Sequence, residues 1–208
     1  GGKDFVMGFI SSVMFQRNSG VYCRIIVIDD GTLNRVQKLF LRRINVDVTC
    51  EKHHEKVKTR LQKLPHTSAF YDEFVLMKKI VDLHVLSEGL NSIIYFDSDV
   101  LFSSRCISFS KFLEDCERRT NLTAYFNKDI EYSFIEHPEI IRKEFGLVAL
   151  KCLNSGLFVC NPQLINLEIV EKILKNKNFQ SWINNRYWVT EQTIFAMLAS
   201  QRNTTCKL

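Results

Sequence analysis

Two carboxylates follow an apolar run in the middle of the chain. Residues 93–96, Ile-Ile-Tyr-Phe, predict a buried strand, and Asp97-Ser98-Asp99 comes directly after it. Because the backbone turns where a strand ends, two aspartates one residue apart can bring their carboxylates to one cation. Such hard oxygen ligands suit Mg²⁺ or Mn²⁺, and either ion would neutralise a departing diphosphate. A solvated turn would use the same residues, but the apolar residues on both sides favour a metal site.

Two further polar groups lie at the boundaries of predicted elements. Asn154-Ser155-Gly156 precedes a predicted strand at 156–160, and its glycine would let a ligand approach the backbone closely. Glu191-Gln192 falls in the first turn of a predicted helix, where a carboxylate either complements the helix dipole or points into a cleft. Taken singly, each group also has a plain structural explanation, an ordinary turn for the first and the dipole for the second.

The apolar spacing predicts helices and strands that alternate along the chain. Strands such as 24–28 are apolar on both faces, which is typical of a parallel sheet covered by helices. We therefore expect an α/β sandwich with a mostly parallel sheet, whose ligands bind at the carboxyl ends of strands. Asp29 and Asp30 follow one such end, and Asp97 follows another. The predicted helices cover residues 4–17, 33–43, 69–88, 108–118, 138–145, 163–176 and 189–200, and the predicted strands cover 24–28, 46–50, 92–96, 122–126 and 156–160.

The composition indicates one globular domain. The chain has 208 residues, of which 46% are hydrophobic and 25% charged. Lysine and arginine are scattered and the net charge is only +5, so we expect no nucleic-acid partner. The weak positive electrostatic field of the protein would suit an anionic nucleotide. No apolar run reaches the roughly 18–20 residues of a membrane span. The cysteines show no C-x-x-C spacing and the histidines no metal-ligand spacing. The compartment stays open between the cytoplasm and the lumen of the Golgi or endoplasmic reticulum.

The order of the motifs resembles the glycosyltransferases of the GT-A fold, above all the glycogenin and bacterial galactosyltransferase family. Its members have F-x-D-x-D, N-[SA]-G-[VL] and D-Q-[DG] in this order, and the resemblance covers roughly residues 70 to 200. Glu191 stands where the family has aspartate. The resemblance implies a three-layer α/β/α GT-A (Rossmann-like) domain. It also implies transfer of a sugar from a nucleotide diphosphate donor, preferably a UDP-sugar, to a hydroxyl of a glycan, protein or lipid, with retention.

The resemblance assigns roles to residues of the three motifs. Asp97 and Asp99 would ligate Mn²⁺ or Mg²⁺, while Glu191 and Gln192 would face the donor sugar near its reacting carbon as the catalytic residues. The donor would also contact the small polar residues of the motifs and a basic residue on the helix before Asp97. These donor-binding residues are Lys78 or Lys79, Asp97, Ser98, Asn154, Ser155 and Gly156.

A second resemblance concerns the segment Ile28-Asp29-Asp30-Gly31-Thr32. It is similar to the V-D-D-G-S strand end of inverting GT-A enzymes, which contacts the nucleoside, so inversion stays open beside retention. A capped turn between strand and helix is the structural alternative. The family's first strand would precede Gly1, and a histidine and a lysine that complete the metal and diphosphate contacts would follow Leu208. We therefore expect the chain to be a fragment of such a domain.

Two other classes of protein remain as alternatives. Asp97-Ser98-Asp99 and Asp30-Gly31-Thr32-Leu33 both resemble the D-x-D-G-T-L of haloacid dehalogenase-type phosphatases. However, the nucleophile position of the second segment is Ile28, and no Gly-Thr follows the first. The other alternative is a non-catalytic GT-A-like domain that only binds.

Overall fold

The computed structural model describes residues 4–103, 109–118, 123–129, 134–150, 152–200 and 205–207, without the side chains of 184–186 and 205–207. Within these ranges the helices are α1 (Phe5–Asn18), α2 (Arg35–Arg43), α3 (Glu51–Leu61), α4 (Pro65–Glu73), α5 (Val75–Leu86), α6 (Phe109–Arg118), α7 (Pro138–Phe145), α8 (Leu167–Lys175), α9 (Lys177–Arg186) and α10 (Thr190–Ala199). The strands are β1 (Ile25–Val27), β2 (Val46–Val48), β3 (Ile93–Phe96), β4 (Thr123–Lys128), β5 (Leu153–Cys160) and β6 (Thr205–Lys207). Short 3₁₀ turns occur at Pro162–Leu164 and Tyr187–Val189.

The strands form a two-stranded and a four-stranded sheet. Strand β1 pairs in parallel with β2, and α2 connects them. The larger sheet has the order β3-β5-β4-β6, in which β5 is antiparallel to both β3 and β4, and β4 is parallel to β6. The expected mostly parallel sheet is therefore wrong for the central pairings, although β3, β4 and β6 share one direction. Strand β5 has a hydrophobic core on each face, so its apolar run looks like that of a buried parallel strand.

Alternate residues of the larger sheet face two different hydrophobic cores. On β5, Phe158 and Cys160 belong to the larger core, which α5, α8 and α10 also line, whereas Val159 belongs to the smaller one. The smaller core also contains Phe15 of α1 and Leu41 of α2. Because side chains alternate along a strand, helices cover the sheet from both sides. The fold is thus mixed α/β, as expected.

Several helices differ from the prediction. Helix α3 covers a polar stretch for which no element was predicted, because its buried face holds only His53, Val57 and Leu61. The single helix predicted at 69–88 is two helices, since Phe74 has the extended angles φ −117° and ψ 112°. Helix α4 begins at Pro65, a residue that suits a first turn.

The remaining predicted elements agree with the observed ones within a few residues, except that α8 starts only after the 3₁₀ turn and that α9 and β6 were not predicted. Residues 108 and 122, at the starts of two predicted elements, lie outside the described residues. Among the helices described, none is long and apolar enough to cross a membrane.

Helix α1 packs along the segment that follows β3. Ser11 Oγ donates a hydrogen bond to the carbonyl of Val100, and Asn18 Nδ2 donates one to the carbonyl of Phe102. The ring of Phe15 lies 5.1 Å from that of Phe102, measured between centroids. These contacts fix the backbone on which Asp97, Ser98 and Asp99 lie.

Candidate active site

Asp97 lies at the point where β3 ends and the chain turns. Its backbone N–H donates to the carbonyl of Gly156 at 2.8 Å, which continues the β3–β5 pairing by one residue. Its Oδ1 accepts a hydrogen bond from Tyr95 Oη at 2.5 Å, and 43% of its side chain is exposed. Ser98 and Asp99 are exposed. The strand therefore delivers one anchored carboxylate and one solvated carboxylate to the same edge of the sheet.

Lys79, on α5, lies at the centre of the cluster. Its Nζ donates to the carbonyl of Ser155 at 2.7 Å, and it lies 2.9 Å from Glu191 Oε1 and 3.4 Å from Asp97 Oδ1. It also lies 4.3 Å from the ring centroid of Tyr95, a cation–π distance. The side chain is only 10% exposed. The largely buried ammonium of Lys79 thus contacts two carboxylates and a carbonyl.

Glu191 lies in the first turn of α10 and is buried. Its Oε2 accepts a hydrogen bond from Ser155 Oγ at 3.0 Å. Burial raises the pKa of Glu191, and the opposing effects of Lys79 and Ser155 do not cancel this. Burial and the Asp97 carboxylate also raise the pKa of Tyr95, which keeps its hydroxyl protonated as a donor. Glu191 is therefore aimed at the cluster, and is more than a charge that complements the helix dipole.

The segment Asn154-Ser155-Gly156 lies inside β5, and the prediction that it precedes the strand was wrong. The strand starts earlier because the β4–β5 register shifts between Phe126 and Asn127, so that Asn127 pairs with Asn154 and residues 155–157 of β5 have no partner on β4. Asn154 Oδ1 accepts a hydrogen bond from Gly156 N at 2.8 Å. A Cβ at Gly156 would lie 2.9 Å from Asp97 Oδ2 and 3.0 Å from Asn154 Oδ1, so a side chain would displace that carboxylate.

Asp29 and Asp30 occupy a different place, after β1. Asp29 Oδ1 accepts from the N–H groups of Gly31 and Leu33, and its Oδ2 lies 2.6 Å from Lys38 Nζ. Burial alone would raise the pKa of Asp29, but Lys38 and the two N–H groups together lower it. The two carboxylate oxygens of Asp29 thus stabilise the turn and α2. This is the capped turn between strand and helix that the sequence analysis gave as the structural alternative.

Asp30 is exposed, and its Oδ1 accepts hydrogen bonds from the N–H and hydroxyl of Thr32. Its pKa is lowered, because Thr32 and the nearby Lys78 outweigh the effect of burial. Lys78, which is also half-buried, points elsewhere, and its Nζ lies 5.8 Å from the ring centroid of Tyr71. The sequence does not distinguish Lys78 from Lys79 as the basic residue of the site. In the structure only Lys79 contacts Asp97, Ser155 and Glu191.

Gln192 faces Asp129, a residue that the sequence reasoning missed. Gln192 Nε2 lies 3.4 Å from Asp129 Oδ2, and the N–H of Asp129 donates to the carbonyl of Cys152 at 2.7 Å. Asp129 follows β4 directly, so the rule that singled out Asp97 after β3 also applies to it. Tyr95 was missed too, because an aromatic residue in an apolar strand gives no sign of a polar role.

The two aspartates of the D-x-D motif do not gather a third ligand among the residues that the structure describes. Here no other histidine, cysteine, aspartate or glutamate side chain comes close enough to Asp97 and Asp99 to form a group of three. The structure therefore brings Lys79, Asp97, Ser155 and Glu191 together, with Asp99 at the rim.

The comparisons with known proteins are consistent with a glycosyltransferase fold. No family model matches the sequence, and no curated protein sequence matches it significantly. The structure is similar to the crystal structure of mouse xyloside xylosyltransferase 1 in its apo form, with a TM-score of 0.58 and 11% sequence identity. The alignment covers 98% of this chain and 79% of that chain. At this identity the likeness shows the fold alone, and it does not single out the glycogenin and bacterial galactosyltransferase family.

Proposed function

We propose that this chain is a metal-dependent glycosyltransferase that moves a sugar from a UDP-sugar to a hydroxyl group of a glycan, protein or lipid. The observation that carries the proposal is the largely buried Lys79, which contacts Asp97 at the end of β3, Ser155 on β5 and Glu191 on α10. Buried ionisable groups that share one partner are typical of functional sites. The glycosyltransferase fold of the structural neighbour supports the same conclusion.

Asp97 and Asp99 would hold the metal ion, Mn²⁺ or Mg²⁺. Their donor set fits such an ion, because both offer hard carboxylate oxygens and both are at least partly exposed. The absence of a side chain at Gly156 leaves room beside Asp97 Oδ2. When bound, the ion would neutralise the charge that develops on the leaving diphosphate.

The other residues of the cluster would bind and orient the donor. Lys79 would hold the Glu191 and Asp97 carboxylates in place, and it would offer positive charge to the donor diphosphate. Ser98, Asn154, Ser155 and Gly156 would line the donor pocket. Asp30 and Lys78 would lie toward the nucleoside.

Retention of configuration is the part of the proposal that rests on Glu191 and Gln192. Glu191 is a buried carboxylate that faces the cluster, and Gln192 follows it at the half-buried rim. These two side chains would face the reacting carbon of the donor sugar, and their position would exclude water from it. In this arrangement Asp29 plays a structural role, which weakens the resemblance to inverting enzymes.

A ligand screen tests donor binding. UDP-, GDP- and CMP-sugars would each be added with and without Mn²⁺, and the melting temperature of the chain would be followed. A ligand at 100 times its dissociation constant stabilises the folded state by about 2.7 kcal/mol, so binding gives a clear shift. We expect the shift with a UDP-sugar and Mn²⁺ together. No shift with any nucleotide sugar would overturn the proposal.

A matched set of variants tests the metal site. Asp97→Ala and Asp99→Ala should each lower Mn²⁺-dependent hydrolysis of the donor by roughly 10²–10³-fold, the effect of losing one electrostatic contact in an active site. Asp47→Ala serves as the control, since Asp47 is exposed on β2 and pairs with Arg24. Unchanged turnover in the first two variants would contradict the assignment. Donor binding without turnover in the unaltered chain would instead identify a binding domain.

A further inference from the structure

Two histidines and an aspartate meet between α3 and α5, away from the D-x-D motif. His53 and His54 lie in the first turns of α3, and Asp82 lies on α5. Each side chain offers one ligand atom, and these atoms all lie within 4.8 Å of one another. His53 Nε2 is 2.5 Å from Asp82 Oδ1, and the two imidazole rings are 5.5 Å apart between centroids. In the part of the chain that the structure describes, this is the one such group of three.

The donor set and its spacing suit a particular ion. Two imidazole nitrogens and a carboxylate oxygen are ligands that Zn²⁺ accepts, at about 2.0–2.2 Å each, which leaves tetrahedral ligand atoms roughly 3.4 Å apart. The three atoms would therefore need only small rotations of their side chains. His53 and Asp82 are 7% and 2% exposed, whereas His54 is half-buried. The ion could thus enter from the side of His54, and a water could take the fourth position.

Two details distinguish this group from a simple buried ion pair. Adjacent residues on a helix normally point to different faces, yet both rings turn toward Asp82. The ring of His54 makes no hydrogen bond to another described residue. Its nitrogen is therefore a third possible metal ligand, one that takes no part in the contact between His53 and Asp82. Tyr71 Oη lies 3.5 Å from Asp82 Oδ2, on the other oxygen of the carboxylate. Supporting contacts of this kind orient the ligands of metal sites.

We propose that His53, His54 and Asp82 form a Zn²⁺ site that fastens α3 to α5. The site is separate from the proposed donor site, and its ligands are softer than the carboxylate pair there, so the two sites differ in the metal they prefer. The Zn²⁺ site would nevertheless affect the proposed donor site, because Asp82 and Lys79 lie one turn apart on α5. An ion at Asp82 would hold the helix that carries Lys79.

The test uses the whole chain, stripped with a chelator. It is also treated with N-ethylmaleimide, because Cys23 and Cys50 are free and exposed and thiolates are good Zn²⁺ ligands. Zn²⁺ alone is then added, and its stoichiometry and the melting temperature are measured. Four proteins are compared: the unaltered chain, Asp97→Ala with Asp99→Ala, His54→Gln, and His66→Gln. His66 is also partly exposed and provides the control for loss of any histidine.

We expect one tightly bound Zn²⁺ and a raised melting temperature in the unaltered chain, in the double aspartate variant and in His66→Gln. His54→Gln should lose both the ion and the stabilisation by Zn²⁺, while it melts like the unaltered chain in chelator. Replacement of Zn²⁺ by Co²⁺ should give the visible absorption of a tetrahedral site only where His54 is present. Equal Zn²⁺ binding by His54→Gln, or no Zn²⁺ bound by the double aspartate variant, would overturn the proposal. Either result leaves the proposed function untouched, because that function rests on the contacts of Lys79 with Asp97, Ser155 and Glu191.

Discussion

Two lysine–carboxylate pairs in this chain look alike at short range and differ in what surrounds them. Lys38 lies 2.6 Å from Asp29 after β1, and Lys79 lies 2.9 Å from Glu191 beside β5. Both carboxylates are buried. The pKa of Asp29 is nevertheless lowered, whereas the pKa of Glu191 is raised by its burial.

The difference comes from how many acceptors share each lysine. Asp29 receives Lys38 and two backbone N–H groups, so its charge is well compensated and the turn is stable. Glu191 receives Ser155 Oγ and a lysine that also serves Asp97 and the Ser155 carbonyl. The first arrangement is a structural cap. The second is an under-compensated cluster of the kind that a charged ligand or metal can complete.

Lys79→Met should give the largest effect, because it removes the cation that Asp97 and Glu191 share. A buried carboxylate left without its partner costs about 3–5 kcal/mol of the free energy of unfolding near neutral pH. Lys38→Met should cost under about 1 kcal/mol, because Lys38 is partly exposed and Asp29 keeps its N–H donors. Urea denaturation measures both.

The double variant Lys79→Met with Glu191→Gln provides the control for charge. It should recover much of the loss, because the neutral amide no longer needs a cation. Equal losses of stability in Lys79→Met and Lys38→Met would show that the two pairs are of the same kind.

Gly156→Ala should give the next largest effect. The new Cβ would lie 2.9 Å from Asp97 Oδ2, and such overpacking costs about 1–3 kcal/mol. Gly8→Ala, on α1, is the matched control, since its Cβ would lie at an ordinary 3.4 Å from Ser98 Cβ. That change should stabilise the helix by roughly 0.5–1 kcal/mol. Thermal melts of both variants, together with their affinity for the UDP-sugar, check the comparison; stability of Gly156→Ala equal to that of the unaltered chain would contradict it.

The pH dependence of stability should have opposite signs for Glu191 and Asp29. We expect this to be the smallest of the predicted changes in stability. Folding raises the pKa of Glu191, so the folded protein binds the proton more tightly, and stability from this group falls as pH rises from its ordinary 4.5 through the folded pKa. Folding lowers the pKa of Asp29, so its stabilisation is present above 3.8 and is lost as pH falls through the folded pKa.

Free energies of unfolding from about pH 3 to pH 8 measure this linkage. Relative to the unaltered chain, Glu191→Gln should abolish the loss of stability on the alkaline side, and Asp29→Asn should abolish the loss on the acid side. The same pH profile in both variants would mean that the two carboxylates have similar surroundings.

The sequence predicts the position of Asp97 well, because an apolar strand that ends in carboxylates is a local pattern. It predicts α1 and β3 for the same reason. It does not predict the break at Phe74, since neither glycine nor proline marks it and α4 and α5 pack against each other only in the folded chain. The antiparallel direction of β5 is a property of pairing between distant segments, which the pattern within one strand does not contain.

The candidate site also depends on contacts between distant segments, which the sequence does not predict. Each of its motifs can be found in the sequence, and their order led to the resemblance. The choice of Lys79 over Lys78, however, depends on which side of α5 faces β5. The metal ligands proposed at His53 and His54 lay in a polar stretch without predicted structure. They become neighbours of Asp82 only through the packing of α3 on α5.

The contact between α1 and the segment after β3 bears on the order in which the chain is assembled. Ser11 and Val100 are 89 positions apart, so during synthesis α1 is complete long before the residues that it holds are made. Closure over such a separation is slow compared with helix formation. Until then Phe15 lacks its partners Phe96 and Phe102, and the site is complete only when α10 supplies Glu191. The proposed binding of a UDP-sugar therefore requires that translation has passed α10.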